Sequence, residues 1–390
     1  MPSNFQQSGT NLESYLIENI YSSYVPAAYR KSGGPWGNWG TVWSFGSNNN
    51  GQLGQGNTTN YSSPVQVGSL TTWKLVSGGQ YFTTAIKTDG TLWAWGQNIF
   101  YGQLGQGDRT NYSSPVQVGS LTNWKEVSNG RYHSVAIKTD GTLWAWGSNA
   151  YGQLGQYNTT HYSSPVQVGS LTTWSKISCC QDHCVAIKTD GTLWSWGYNG
   201  QGQCGLGDTT SVSSPVQVGT LTTWSSIGTS VWNGYAIKTD GTLWAWGANY
   251  YGQLGQGNTT YRSSPVQVGT LTNWSKIGRA GNSFSVAIKT DGTLWAWGYN
   301  AYGQLGLGNR TNYSSPVQVG SLTNWSNIAG GEMFRIATKT DGTLWAWGYN
   351  AYGQLGQNNT TYYSSPVQVG SLTTWSSIGP GYLHSSIIKS

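Results

Sequence analysis

From Ala136 to Gly147 the chain reads AIKTDGTLWAWG, with apolar residues at alternate positions on both sides of an Asp-Gly pair. Alternation with a period of two marks a half-buried strand, and Asp-Gly favours the tight turn between antiparallel strands. The segment predicts a β-hairpin. After Trp-Gly comes a loop rich in Gly, Asn and Gln, then SSPVQVG, whose proline fits only an edge or strand-start position. LTTW and a short strand containing Ile or Val complete the unit, which holds about four strands and no helix.

This unit recurs with a period of fifty residues. Its GQLG signature begins at Gly51, Gly102, Gly152, Gly202, Gly252, Gly303 and Gly353, with Cys204 replacing leucine in the fourth copy. Three tryptophans per copy, such as Trp144, Trp146 and Trp174, each bring roughly 150 to 250 Å² of buriable surface. A lone four-stranded sheet cannot cover both of its faces, so neighbouring copies must stack. The two ends of the chain favour a ring over an open solenoid. The first copy begins at Gly40 with GTVWSFG and has no AIKTD strand before it; the last ends in SSIIKS with no GTLWAWG after it. Each end supplies what the other lacks, and pairing them removes exposed sheet edges. The expectation is an all-β fold: a seven-bladed β-propeller over residues 36–390, closed by pairing of the N- and C-terminal strands, with a short arm over residues 1–35.

The units resemble the repeats of the regulator of chromosome condensation family, whose pattern W-G-x-N-x-x-G-Q-L-G is matched at WGSNAYGQLG (Trp146–Gly155) and WGYNAYGQLG (Trp297–Gly306). FGSNNNGQLG (Phe45–Gly54) differs only by Phe for Trp. The resemblance covers residues 40–390 and implies the same seven-bladed propeller. It does not imply one function, because family members include a nuclear exchange factor for a small GTPase and secreted propeller-type β-lactamase inhibitors. The exchange factor carries a β-wedge insertion, for which copies spaced by fifty or fifty-one residues leave no room.

Composition narrows the function classes. Only 8% of residues are charged, against 23 Trp, 25 Tyr and 56 Gly, and the formal net charge is +6. Seven of the basic residues are one recurring lysine, Lys87, Lys138, Lys188, Lys238, Lys289, Lys339 and Lys389, six of them two residues before an Asp and expected to pair with it. The other basic residues are scattered, so no stripe suits nucleic acid. No apolar run is long enough to insert in a membrane, and no conventional signal peptide opens the chain.

Function is expected where the copies disagree. The stretch between the third tryptophan of a unit and the AIKTD strand differs almost completely among copies, as in SGGQYFTT, SNGRYHSV, SCCQDHCV and GTSVWNGY. Such variation is tolerated where the packed ring does not dictate side chains. The TLWAW strand runs back toward these loops and delivers a second variable site, NIFY, NAY or NYY, to the same face. The candidate binding residues on this rim are Tyr81, Phe82, Arg131, Tyr132, Asp182, Trp232, Asn233, Phe284, Glu332, Met333, Phe334 and Tyr382. Aromatic residues mixed with a few charges and glycine have the make-up of an interface centre. In the resembling inhibitors, a corresponding ring of loops grips the partner protein.

Catalytic chemistry has little basis. The carboxylates outside the Asp-Gly turns do not recur as pairs, and no nucleophile motif or phosphate loop is present. No enzymatic activity, no cofactor and no metal are expected. His133, His183 and His384 share one slot in their copies, which predicts a common structural hydrogen bond. Cys180, His183 and Cys184 could contribute to a zinc site, but their spacing matches no common finger, and Cys179, Cys180 and Cys184 are left as free, disulfide-bonded or metal-bound. The NTT triplets at Asn57, Asn158, Asn258 and Asn359 read as turn chemistry.

In the arm, Leu12, Leu16 and Ile20 form one apolar stripe if helical, suited to docking on the propeller or on another subunit. An arm joined to a rigid ring of variable loops has the layout of an appendage. The leading expectation is a recognition or adhesion protein of a bacteriophage virion or bacterial surface. Its rim would bind a host glycan or protein, and its arm a virion or scaffold protein. The alternative is a soluble protein-binding inhibitor or regulator, and a third reading is a nucleotide exchange factor.

Overall fold

In a computed structural model, which describes residues 40–279, 281 and 283–390, the recurring hairpins form seven four-stranded antiparallel sheets. Blade 2 shows the plan: an inner strand Trp124–Asn129, then His133–Lys138, Leu143–Gly147 and the outer strand Tyr162–Gln167. Blade 1 begins at Trp73, and blades 3 to 6 begin at Trp174, Trp224, Trp274 and Trp325. The SSPVQ proline lies on the outer strand, where its missing N–H interrupts no central ladder.

Blade 7 is built from both ends of the repeat array. Its strands lie in the order Tyr61–Gln66, Thr41–Gly46, His384–Lys389 and Trp375–Ile378. Val42 faces Ile388 and Trp43 faces Ile387 in continuous antiparallel register. The ring is therefore sealed by the segments predicted to seal it. The expected arm, with Leu12, Leu16 and Ile20, lies outside the described residues.

The same letters recur because the core lies between blades. The described residues form seven apolar clusters, and each joins two consecutive blades. At one interface Leu143, Leu154 and Val168 of blade 2 pack against Trp174, Ile177 and Trp196 of blade 3. Six interfaces carry an added pin: the buried indole of the TLWAW strand donates to the glutamine carbonyl in the preceding blade's GQLG loop, as Trp146 Nε1 does to Gln103 O at 3.0 Å. At the seventh, Phe45 fills the indole slot without a donor.

The recurring lysine does not mainly pair with its aspartate. Lys138 Nζ lies 3.5 Å from the centroid of Trp144 and 5.0 Å from that of Trp124, a cation–π contact. Asp140 instead accepts from the Thr142 amide and hydroxyl at 2.9 and 2.7 Å, and Trp144 Nε1 donates to that hydroxyl. The expected turn chemistry of the NTT triplets is present, with Asn158 Oδ1 accepting from Thr160 N at 2.9 Å.

Candidate functional site

Both variable sites meet on one face. In blade 2 the residue after Trp-Gly, Ser148, donates its amide to the Tyr132 carbonyl at 2.8 Å, and the equivalent bond recurs in the other blades, for instance from Tyr198 to Asp182. This geometry follows from the hairpin: the second strand leaves the variable loop and the third returns to it.

Around the axis the inner loops are tied backbone to backbone. Glu332 N donates to Tyr382 O, Tyr382 N to Gly79 O, Gln80 N to Arg131 O and Arg131 N to Gln181 O, at 2.8 to 3.3 Å. A collar thus runs from blade 6 through blades 7, 1 and 2 to blade 3. Arg131 Nε donates to Gln80 Oε1 at 2.7 Å, and the guanidinium carbon lies 5.0 Å from the Tyr132 ring centre. Tyr382 donates its phenol proton to Glu332 Oε1. Burial pushes the Asp182 carboxyl up to about 6, opposed by the Arg131 charge and the Gln153 amide. Burial also raises Glu332, opposed by the Tyr382 hydrogen bond and Arg131. Among the twelve expected rim residues the charged side chains are thus three, Arg131, Asp182 and Glu332, with Arg131 acting on both carboxyls.

Eight of the twelve expected rim residues are partly exposed here: Tyr81, Arg131, Tyr132, Asp182, Trp232, Glu332, Met333 and Tyr382. The other four, Phe82, Asn233, Phe284 and Phe334, are completely buried. Each is the first residue of its blade's second strand and pairs with the glycine of Trp-Gly, so its side chain enters the packed wall. His133, His183 and His384 fill the same slot and are equally buried. In blades 1, 2, 6 and 7 the ring covers a glycine three residues earlier, and a Cβ on Gly79, Gly130, Gly331 or Gly381 would approach it to about 2 Å. A shared structural role for the histidines holds in two cases: His133 Nε2 lies 3.2 Å from Cys184 Sγ and His384 Nε2 lies 3.0 Å from Thr83 Oγ1, each in the next blade.

The cysteines also resolve. Cys179 and Cys184, opposite each other on paired strands, form a disulfide, while Cys180 and Cys204 are buried thiols. Among the described residues the side chains that come together are His133, Cys179 and Cys184, a different set from the Cys180, His183 and Cys184 weighed as possible zinc ligands. With both sulfurs bonded to each other they offer no thiolate ligand. Cys204 takes the leucine slot, and burial pushes its thiol up to about 12.

The second variable site contributes more aromatic surface than the first, although the twelve candidate residues all belong to the first. Phe100 and Tyr250 are 53% and 55% exposed. Neighbouring rings bridge the blades: Tyr101 to Tyr132 at 5.5 Å, Tyr151 to Tyr198 at 4.9 Å and Tyr198 to Trp232 at 6.0 Å. A longer arc runs from Tyr251 through Tyr299, Tyr302 and Tyr349 to Tyr362. Tyr261 and Tyr362 occupy the position from which Asn60, Asn111 and Asn312, and in two copies His161 and Ser211, accept the backbone amide of the Asn in the Trp-Gly-x-Asn motif, as Asn312 does for Asn300 at 2.8 Å. These two instead pack their rings against Tyr250, edge to face, and Tyr349, tilted. The signal in the sequence was the Asn-x-Tyr variation itself.

Comparisons with known proteins agree with this architecture. Human WBSCR16 superimposes with a TM-score of 0.79 at 23% identity, covering 90% of this chain and 98% of that one. Prp20p of Saccharomyces cerevisiae, described with its binding to Gsp1p and histones, superimposes with a TM-score of 0.80 at 18% identity, covering 94% and 95%. At these identities the likeness shows the fold alone. The Arabidopsis thaliana ultraviolet-B receptor UVR8 is 37% identical over 112 residues, or 28% of this chain and 25% of the receptor. The human E3 ubiquitin-protein ligase HERC2 is 32% identical over 113 residues, only 2% of the ligase's length. Regulator of chromosome condensation (RCC1) repeats match residues 40–86 and 89–137, and the RCC1-like domain matches residues 122–387. With that match spanning more than half of its length, the chain belongs to the RCC1-like domain family.

Proposed function

We propose that this chain is a non-catalytic protein-binding propeller, a regulator or inhibitor that grips one partner protein through its variable-loop face. The observation that carries this reading is the aromatic surface on that face, assembled from loops of consecutive blades over a hydrogen-bonded collar. Tyr and Trp supply large contact areas at low conformational cost, and a preformed collar lowers the ordering cost of binding. The candidate rim residues carry one arginine against two carboxylates, which disfavours nucleic acid. The virion and host-glycan expectation finds no support among the relatives named above.

The test is a set of surface variants measured for capture of one protein from extracts of the source cells. Trp232→Ala and Tyr132→Ala should each weaken capture at least about tenfold, as central aromatic anchors do. Leu171→Ala, on the opposite, Asp-Gly face, should leave it unchanged. Capture that survives both rim substitutions but fails with Leu171→Ala would reject the assignment.

A further inference from the structure

Among the described residues one side chain crosses the central channel. Arg279, just after the inner strand of blade 5, reaches across the axis and donates from Nη1 to the Gly78 carbonyl of blade 1 at 2.5 Å. It also bonds the Cys180 thiol. On the variable-loop side it leaves a space of only about 30 Å³. On the Asp-Gly side it forms the floor of a cavity of about 380 Å³ that opens to that face.

This cavity has two chemically distinct parts. Its wall carries Leu75, Val127, Ile177, Ile227 and Ile378 from the inner strands of five blades, interleaved with Ser77, Ser128, Ser178 and Ser377. Its floor is Arg279, whose guanidinium is a planar cation with five N–H donors, one of them given to the Gly78 carbonyl. The inner strands also carry Lys74, Lys125, Lys176 and Lys276 on this side. The one carboxylate among the described lining residues, Glu126, accepts at Oε1 from Ile177 N at 3.2 Å. The six turn aspartates on this face lie further from the axis, each held by its own threonine, as Asp89 is by Thr91. A planar cation beneath a wall with aliphatic side chains selects a carboxylate on an apolar body.

We infer that the Asp-Gly mouth of the channel is a binding site for a small amphipathic carboxylate, such as a medium-chain fatty carboxylate of roughly ten to fifteen non-hydrogen atoms. The carboxylate meets the Arg279 guanidinium and the chain lies along Leu75, Ile177, Ile227 and Ile378. This site is on the face opposite the variable loops, so it stands or falls independently of the partner-binding reading.

The experiment is calorimetric titration of the full chain with decanoate, decanol and decylamine, each below its aggregation threshold. The wild-type protein should bind one decanoate saturably and should bind decanol and decylamine at least tenfold more weakly. Arg279→Gln should lose this preference, with decanoate falling at least tenfold to the level of decanol. Ile227→Trp, which fills the cavity and leaves Arg279 in place, should abolish binding of both decanoate and decanol while retaining the wild-type circular dichroism spectrum. Absence of saturable decanoate binding to the wild type, equal affinity for the three ligands, or unchanged decanoate affinity in Ile227→Trp would overturn the inference. If Arg279→Gln does not fold, the ligand series on the wild type and the Ile227→Trp variant still decide it.

Discussion

Acid should unfold this propeller through its buried imidazoles. Burial holds His133 and His384 down to about 3 and His183 to about 4, with the neighbouring Arg279 charge adding to the effect on His133 and His384. The unfolded chain takes up protons at these sites below the ordinary value of 6.5, whereas the folded chain cannot until the pH is far lower, so stability is lost as pH falls through this window. At pH 5 each histidine should cost about 2 kcal/mol, and the three together about 6 kcal/mol. Asp182 acts in the opposite sense, because its carboxyl is raised to about 6 in the folded state. It binds a proton first in the native protein and returns about 1 kcal/mol by pH 5. From these four groups the loss between pH 7.5 and pH 5 is about 5 kcal/mol, a large part of a domain's stability, with the raised Glu126 and Glu332 carboxyls acting in the same sense as Asp182. Phenylalanine already fills the same slot at Phe82, Phe284 and Phe334. The double variant His133→Phe/His384→Phe should therefore fold and lose only about 1 kcal/mol over the same interval. Urea unfolding followed by tryptophan fluorescence at the two pH values measures both quantities. A double variant that loses as much stability as the wild type would refute the reasoning.

Three other outcomes are expected. Phe45→Trp should supply the interblade indole donor that blade 7 lacks and raise stability by about 1 kcal/mol, less if the larger ring overpacks the interface; thermal melts would show it. Gly147→Ala should destabilise by more than about 1 kcal/mol, because Gly147 has φ +100° and an added Cβ would lie 2.5 Å from the Tyr132 carbonyl; urea midpoints measure the loss. Alkylation of the denatured, unreduced protein should label Cys180 and Cys204 but spare Cys179 and Cys184, and mass spectrometry would contradict the disulfide if four cysteines were labelled.

The ring was legible in the sequence because its determinants are local and repeated. Asp-Gly turns, strand alternation and the complementary incomplete ends specify blade, number and closure without knowledge of side-chain contacts. The rim was only half legible. Variation marked the right segments, but it could not separate Tyr132, which points outward, from Phe82 or Phe334, which enter the wall one position further along. That difference depends on where the strand begins pairing, and a one-residue step reverses the side chain's direction. Nor could spacing choose the cysteine partners: Cys179 and Cys184 are joined because they face each other across a hairpin whose loop is unique to blade 3. Arg279 drew no attention in the sequence, since its significance comes from the channel that it crosses.

The central claim is that partner recognition belongs to the variable-loop face. Photo-cross-linking tests it directly, with a benzophenone amino acid placed in turn at Tyr132, Trp232 and Leu171 of the full chain in extracts of the source cells. The account predicts one discrete protein adduct from Tyr132 and Trp232, competed by excess unmodified chain, and none from Leu171. The same adduct arising from Leu171 and absent from both rim positions would contradict it.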